Sequence, residues 1–292
     1  MNGPWDVWSA CTPDCAAHAV PRVRPVETAL RCAAFARAVR RALTDGERMA
    51  DPVRLRSHAR ALLTALGIRR EGTAERLAAP VAAGGPGTLI VVNHISWLDI
   101  PALLAVEPVT LLAKREVGGW PIVGGLARRA GTHFIDRENP RQLPFSVREL
   151  TELLDSGRSV AVFPQATTWC TAEQGVFRRA TFQAAIDAGA PVRPVTLRYS
   201  QQGIPSTVAA FCGEDTFAAS LRRVLAARAL TLHLTAHPPL TADGDGLGRR
   251  WLARRAESAV LGGRAPTEPV DRGPVRGLPS PRTREPVADR HV

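Results

Sequence analysis

Val91-Val92-Asn93-His94-Ile95-Ser96-Trp97-Leu98-Asp99-Ile100-Pro101 is the stretch on which the fold turns. The apolar run Thr88 to Val92 ends in Asn-His, and a carboxylate follows five residues after the histidine. The run is short and β-branched, and the turn residues Gly84-Gly85-Pro86-Gly87 precede it, which predicts a buried strand. Pro101 to Ala105 reads as the start of a helix, with Asp99 placed as its N-cap. His94 is therefore expected in a strand-to-helix turn. On a continuous helix, residues five apart lie about 140° apart and cannot face one another. A turn between them lets the imidazole fold back onto the carboxylate as a His94-Asp99 dyad. The alternative reading makes Asp99 only a cap and His94 only a turn residue bonded to backbone.

Outward from this stretch the chain alternates apolar runs with helical patterns. Strands are expected at Leu89 to Val92, Val109 to Ala113, Thr132 to Ile135, Ser159 to Phe163, Val192 to Leu197 and Leu230 to Leu234. Helices are expected to begin near Pro101, Pro121, Leu143, Phe177, Phe217 and Gly248. Such alternation means an α/β fold with a mostly parallel sheet flanked by helices. Ligands of such sheets bind at the carboxyl ends of the strands, where His94 falls.

Before this region lie two helical patterns. Cys32, Phe35, Ala36, Val39 and Leu43 share one face of the first, with Arg37, Arg40 and Arg41 opposite. Asp51-Pro52 opens the second as N-cap and first-turn proline, and Leu55, Ala59, Leu62 and Leu66 repeat the spacing. Gly67 closes it. A basic amphipathic pair has two readings: an anchor on an anionic membrane surface, or two helices packed on the core with their arginines in water. The expected organisation is a flexible arm over 1–26, the helical pair over 27–70, the α/β domain over 71–261 and a Pro/Arg-rich disordered tail over 262–292.

The 292 residues are 45% hydrophobic, enough for a sizeable core. The net charge of +11 comes almost wholly from arginine, Lys114 being the lone lysine, and suits phosphates and anionic membranes. It would suit nucleic acid as well, but aromatic residues make up only 5% and no nucleic-acid motif is present, so no nucleic-acid partner is expected. No run of about 18 apolar residues is present, so membrane contact is expected to be peripheral, at the cytoplasmic face of the cell membrane. Cysteines at 11, 15, 32, 170 and 212 are odd in number and irregularly spaced, against a secreted disulfide framework. Cys11-x3-Cys15 has no second ligand pair at structural zinc spacing and reads as incidental; no metal is expected.

Three further polar clusters follow or enter strands: Gly131-Thr132-His133-Phe134-Ile135-Asp136-Arg137, Phe163-Pro164-Gln165-Ala166-Thr167-Thr168 and Pro191-Val192-Arg193-Pro194. In this order, with Asn93, His94 and Asp99, they resemble the glycerolipid acyltransferase family, the lysophosphatidic acid (1-acylglycerol-3-phosphate) acyltransferases in particular. The resemblance covers Leu89 to Arg198.

It implies an O-acyltransferase that moves a fatty acyl group from an acyl thioester donor, acyl-CoA or acyl carrier protein, to the hydroxyl of a lysolipid acceptor, without a bound cofactor. His94 is implied as general base and Asp99 as the group orienting it. Arg137 is implied to hold the acceptor's phosphate, with Lys114 adding charge to the pocket. Gly131, Gln165, Ala166 and Thr167 complete the implied substrate-binding set. The third block departs from the family, which has Phe-Pro-Glu-Gly-Thr where this chain has Gln165 and Ala166. Glutamine keeps hydrogen-bonding capacity without the charge, and alanine resists a positive φ. Two alternatives follow: an acceptor such as a lyso-ornithine lipid, or a degenerate lipid-binding relative.

Overall fold

The computed structural model describes residues 8–16, 21–72, 75–119, 123–135, 142–172, 175–242 and 248–262. The tail expected from 262 onward lies almost wholly outside them, as does Arg137.

The described strands are β1 (Arg69–Gly72), β2 (Leu89–Val92), β3 (Thr110–Lys114), β4 (His133–Ile135), β5 (Val160–Val162), β6 (Val192–Gln201), β7 (Ile204–Pro205) and β8 (Leu230–Ala236). They form one sheet in the order β1-β8-β6-β2-β5-β3-β4, with β7 paired to β6. β2, β3, β4, β5 and β6 run parallel, and β8 is antiparallel to β6. The helices are α1 (Pro25–Asp45), α2 (Pro52–Ala65), α3 (Asp99–Val106), α4 (Arg115–Gly118), α5 (Val123–Arg129), α6 (Leu143–Asp155), α7 (Ala180–Asp187), α8 (Phe217–Ala226) and α9 (Arg249–Leu261). This is the expected mostly parallel sheet flanked by helices.

Strand β2 is central, and its side chains divide by the two-residue period of a strand. Ile90 and Val92 join the core that holds Leu55, Leu63 and Leu103 from α2 and α3. Leu89 and Val91 join the core on the other face, with Leu150, Phe182 and Val260 from α6, α7 and α9. All four β2 residues are fully buried, as helices on both faces of a parallel sheet require.

Three expectations are corrected here. The helical pair is not set apart from the α/β domain, because Leu55, Ala59, Leu63 and Leu66 belong to the main core and a boundary at residue 70 would cut β1. That strand, Arg69-Arg70-Glu71-Gly72, is exposed throughout and so carries no apolar pattern; it is held by parallel pairing to β8. The buried face of α1 is also rotated from the expected one. Cys32 and Ala36 are exposed, while Phe35, Ala38 and Val39 are half-buried and Ala42 is buried. The rotation brings Arg31 inward, where it donates to the carbonyls of Leu225 and Ala227 at 3.3 and 2.7 Å. Finally, the arm is anchored over its described part: Cys11 and Ala16 are buried, and Val23 N–H donates to Ala226 O at 2.9 Å.

Candidate active site

The chain leaves β2 at Val92 and turns before α3, so His94 sits at the carboxyl edge of the sheet. Asp99 is the first residue of α3, whose N-cap is Leu98 with no side-chain cap, so Asp99 is not the expected N-cap. Its carboxylate instead turns back over the loop. Oδ2 accepts from His94 Nδ1 at 2.8 Å, from Ile95 N–H at 2.7 Å and from Ser96 N–H at 2.9 Å. Oδ1 accepts from the Tyr199 hydroxyl at 2.7 Å. Four donors converge on a side chain with 0% exposure, an arrangement that suits a carboxylate, which accepts on both oxygens. With Nδ1–H held by Asp99, the imidazole presents Nε2 as an acceptor, and the His94 side chain keeps 21% of its surface open to solvent.

The remaining contacts fix the histidine from behind. Its ring stacks on Phe163, centroids 4.0 Å apart and planes 19° from parallel. Its backbone N–H donates to Gln165 Oε1 at 2.6 Å, and its carbonyl accepts from Trp169 N–H at 2.8 Å. Ile95 O accepts from Phe211 N–H at 3.0 Å. Asn93 points into the sheet and pairs with the backbone of Leu197 in both directions, Nδ2 donating at 3.0 Å and Oδ1 accepting at 2.7 Å. The turn is thus bound to the segments after β5, within β6 and after β7.

Tyr199 was invisible to local pattern, because it lies in β6, 100 residues from Asp99. Burial first, then the neighbouring Asp99 charge, pushes its phenol well above the ordinary tyrosine range, so it stays a proton donor to the carboxylate. Ser96 is buried and accepts from Leu98 N–H at 3.3 Å, as a turn hydroxyl does.

The other expected site residues divide. Gln165 is 4% exposed and its Oε1 accepts from the His94 backbone, so it supports the turn. Ala166 adopts φ 62° despite its Cβ, a left-handed conformation that glycine takes freely. That conformation costs an alanine about 1–2 kcal/mol. Thr167 follows it, half-buried. Lys114 closes β3, beside Ile135 in register, at the same edge of the sheet as His94. Gly131 is not brought to the dyad. It precedes β4 with φ 72° and closes the end of α5 through its N–H to Arg128 O at 3.1 Å, at the opposite edge of the sheet. Arg137 and Asp136 lie outside the described residues. Neither member of the dyad belongs to a group of metal-ligating side chains among the described residues.

Comparison with known proteins bears on the family and the fold. The sequence profile of the Acyltransferase family matches residues 70–198. A lyso-ornithine lipid O-acyltransferase of Pseudomonas aeruginosa is 38% identical over 184 residues, 62% of this chain and 70% of that protein. A 1-acyl-sn-glycerol-3-phosphate acyltransferase of Neisseria meningitidis serogroup B is 37% identical over 148 residues, 51% of this chain and 58% of its own length. Among solved structures, the 1-acyl-sn-glycerophosphate acyltransferase PlsC of Thermotoga maritima shares the fold with a TM-score of 0.56 at 19% identity, covering 81% of this chain and 92% of that one. By the matched profile and by its likeness over most of the Pseudomonas protein, this chain belongs to the glycerolipid acyltransferase family.

Proposed function

We propose that the protein transfers a fatty acyl group from acyl-CoA or acyl carrier protein to the free hydroxyl of a lysolipid, with His94 as general base. The observation that carries this reading is the 2.8 Å bond from His94 Nδ1 to a buried Asp99, which leaves Nε2 outward at the carboxyl edge of a parallel sheet. Nε2 takes the proton of the acceptor hydroxyl as its oxygen attacks the thioester carbonyl. The carbon–oxygen bond forms, the carbon–sulfur bond breaks, and the imidazolium returns its proton to the leaving sulfur. Asp99 fixes the ring and stabilises its charged form, the task of the carboxylate in a hydrolase triad, here without a serine nucleophile. Arg137 and Lys114 are assigned to the acceptor's headgroup, because guanidinium and ammonium bind anionic oxygens.

A lyso-ornithine lipid is the acceptor this reading favours over lysophosphatidate. Two features support it: the likeness to the Pseudomonas enzyme of that name, and a third block with glutamine and threonine at 165 and 168. The degenerate alternative loses ground, since Gln165 holds the His94 turn in place and Ala166 keeps a left-handed conformation.

Attachment is proposed at an anionic membrane surface, peripherally and at the cytoplasmic face. No helix among the described residues is long and apolar enough to cross a membrane. Val26 and Leu30 on α1 and Val53 on α2 are exposed at 62%, 64% and 75%, on helices that also expose Arg37, Arg40, Arg41 and Arg54.

Acyl transfer measured with lyso-ornithine lipid and lysophosphatidate, each with acyl-CoA and acyl carrier protein as donor, tests the reading. Removing general-base help by His94→Ala is expected to lower turnover about 10²–10⁴-fold. Undiminished turnover in that variant would overturn the mechanism, and preference for lysophosphatidate would overturn the acceptor.

A further inference from the structure

Three of the five cysteines, from two distant parts of the sequence, converge behind the catalytic turn, and a fourth lies beside them. The Sγ atoms of Cys11, Cys15 and Cys170 all lie within 4.8 Å of one another. Cys212 is buried beside them, in the segment whose Gly213 packs on Cys11 and Pro13. The fifth, Cys32, stands apart, exposed on α1.

The backbone around these thiols is shaped to them. Pro13–Cys15 forms a single 3-10 turn, closed by Cys15 N–H to Thr12 O at 3.0 Å, which folds the two sulfurs of Cys11-x3-Cys15 toward each other. Cys170 N–H donates to Cys11 Sγ at 3.4 Å, the backbone-to-sulfur bond that stabilises a thiolate. Gly213, φ 59°, lacks the Cβ that would press on Cys11 O at 3.2 Å and Pro13 Cδ at 3.4 Å, so the turn seats directly against the Cys212 segment.

We propose that Cys11, Cys15, Cys170 and Cys212 bind one structural zinc ion, which fastens the N-terminal arm to the two loops that hold the His94 turn. Zinc with four thiolates at about 2.3 Å in a tetrahedron sets its sulfurs about 3.8 Å apart, and Cys-x2–4-Cys is the usual spacing of one ligand pair. The three mutually close thiols lie within 4.8 Å of one another, within reach of a shared ion. Binding turns four thiols into thiolates and releases their protons. Each of the later two ligands follows a residue that bonds the catalytic turn, Trp169 N–H on His94 O and Phe211 N–H on Ile95 O. The ion would brace both bonds from one point.

The full-length chain, expressed with zinc in the medium and purified without chelator, is expected to carry about one zinc per chain by elemental mass spectrometry. Cys32→Ser is expected to keep it; Cys15→Ser and Cys212→Ser are expected to lose it. Cobalt(II) exchanged into the wild-type chain is expected to give thiolate-to-metal charge-transfer absorption and the strong visible bands of a tetrahedral centre, a readout that does not depend on any variant folding. Wild-type chain recovered without zinc and showing no such cobalt spectrum overturns the proposal. So does a disulfide among these four cysteines in the non-reduced peptide map.

Discussion

At the scale of single residues, the catalytic turn depends on how completely Asp99 is satisfied. A carboxylate withdrawn from water needs each of its donors, and a hydrogen bond to a charged group contributes about 1.5–3 kcal/mol. Tyr199→Phe removes the one donor on Oδ1 while keeping the ring that fills the core. It is expected to destabilise the protein by roughly that amount, measured by denaturant unfolding. It should also lower kcat by about tenfold, since each 1.4 kcal/mol lost from the transition state is a factor of ten. Unchanged kcat would show that Tyr199 serves stability alone. The spacing of His94 and Asp99 was legible in the sequence because both lie in one turn. The roles of Tyr199 and Gln165 were not, since each reaches the turn from 71 or more residues away.

At the scale of elements, α1 shows how one charged side chain overrides an apolar pattern. The Arg31 guanidinium donates to two carbonyls at the end of α8 and pairs with Glu27 at 2.7 Å. It also lies over Gly67, just past α2, where an added Cβ would meet it at 2.4 Å. A cation at the carboxyl ends of two helices is favoured by their dipoles and by the carbonyls left unpaired there. Arg31→Ala is expected to cost about 2 kcal/mol, read as a shift of the thermal or denaturant midpoint. Substituting Arg37, which is exposed on the same helix, is expected to change that midpoint little. The periodicity of α1 identified a helix correctly but chose its face from apolar residues alone, and so turned Cys32 and Ala36 inward and left Arg31 unassigned.

At the scale of the whole molecule, β6 is bound to α9 and to the segment after β8 through Thr196. Its hydroxyl donates to Val260 O at 2.9 Å and is therefore free only to accept from His237 Nε2–H at 2.8 Å. Burial first, then Arg198 and Arg193, holds His237 below its usual 6.5. The unfolded chain thus takes up this proton more readily than the folded one. The contribution is whole above pH 6.5 and is lost as pH falls from there through the lower folded value. Unfolding followed from neutral to mildly acidic pH is expected to show stability falling with pH, with a shallower fall in His237→Gln; identical slopes would exclude this histidine as a source. The sequence by itself determined the strand-helix alternation, the dyad and the family, because strand period, turn chemistry and a five-residue spacing are local properties. Only the tertiary structure decided that β1 exists, that Gly131 caps a helix away from the dyad, and that Cys170 meets Cys11 and Cys15. Those depend on which distant segments the sheet order places side by side, and no periodicity along the chain encodes that.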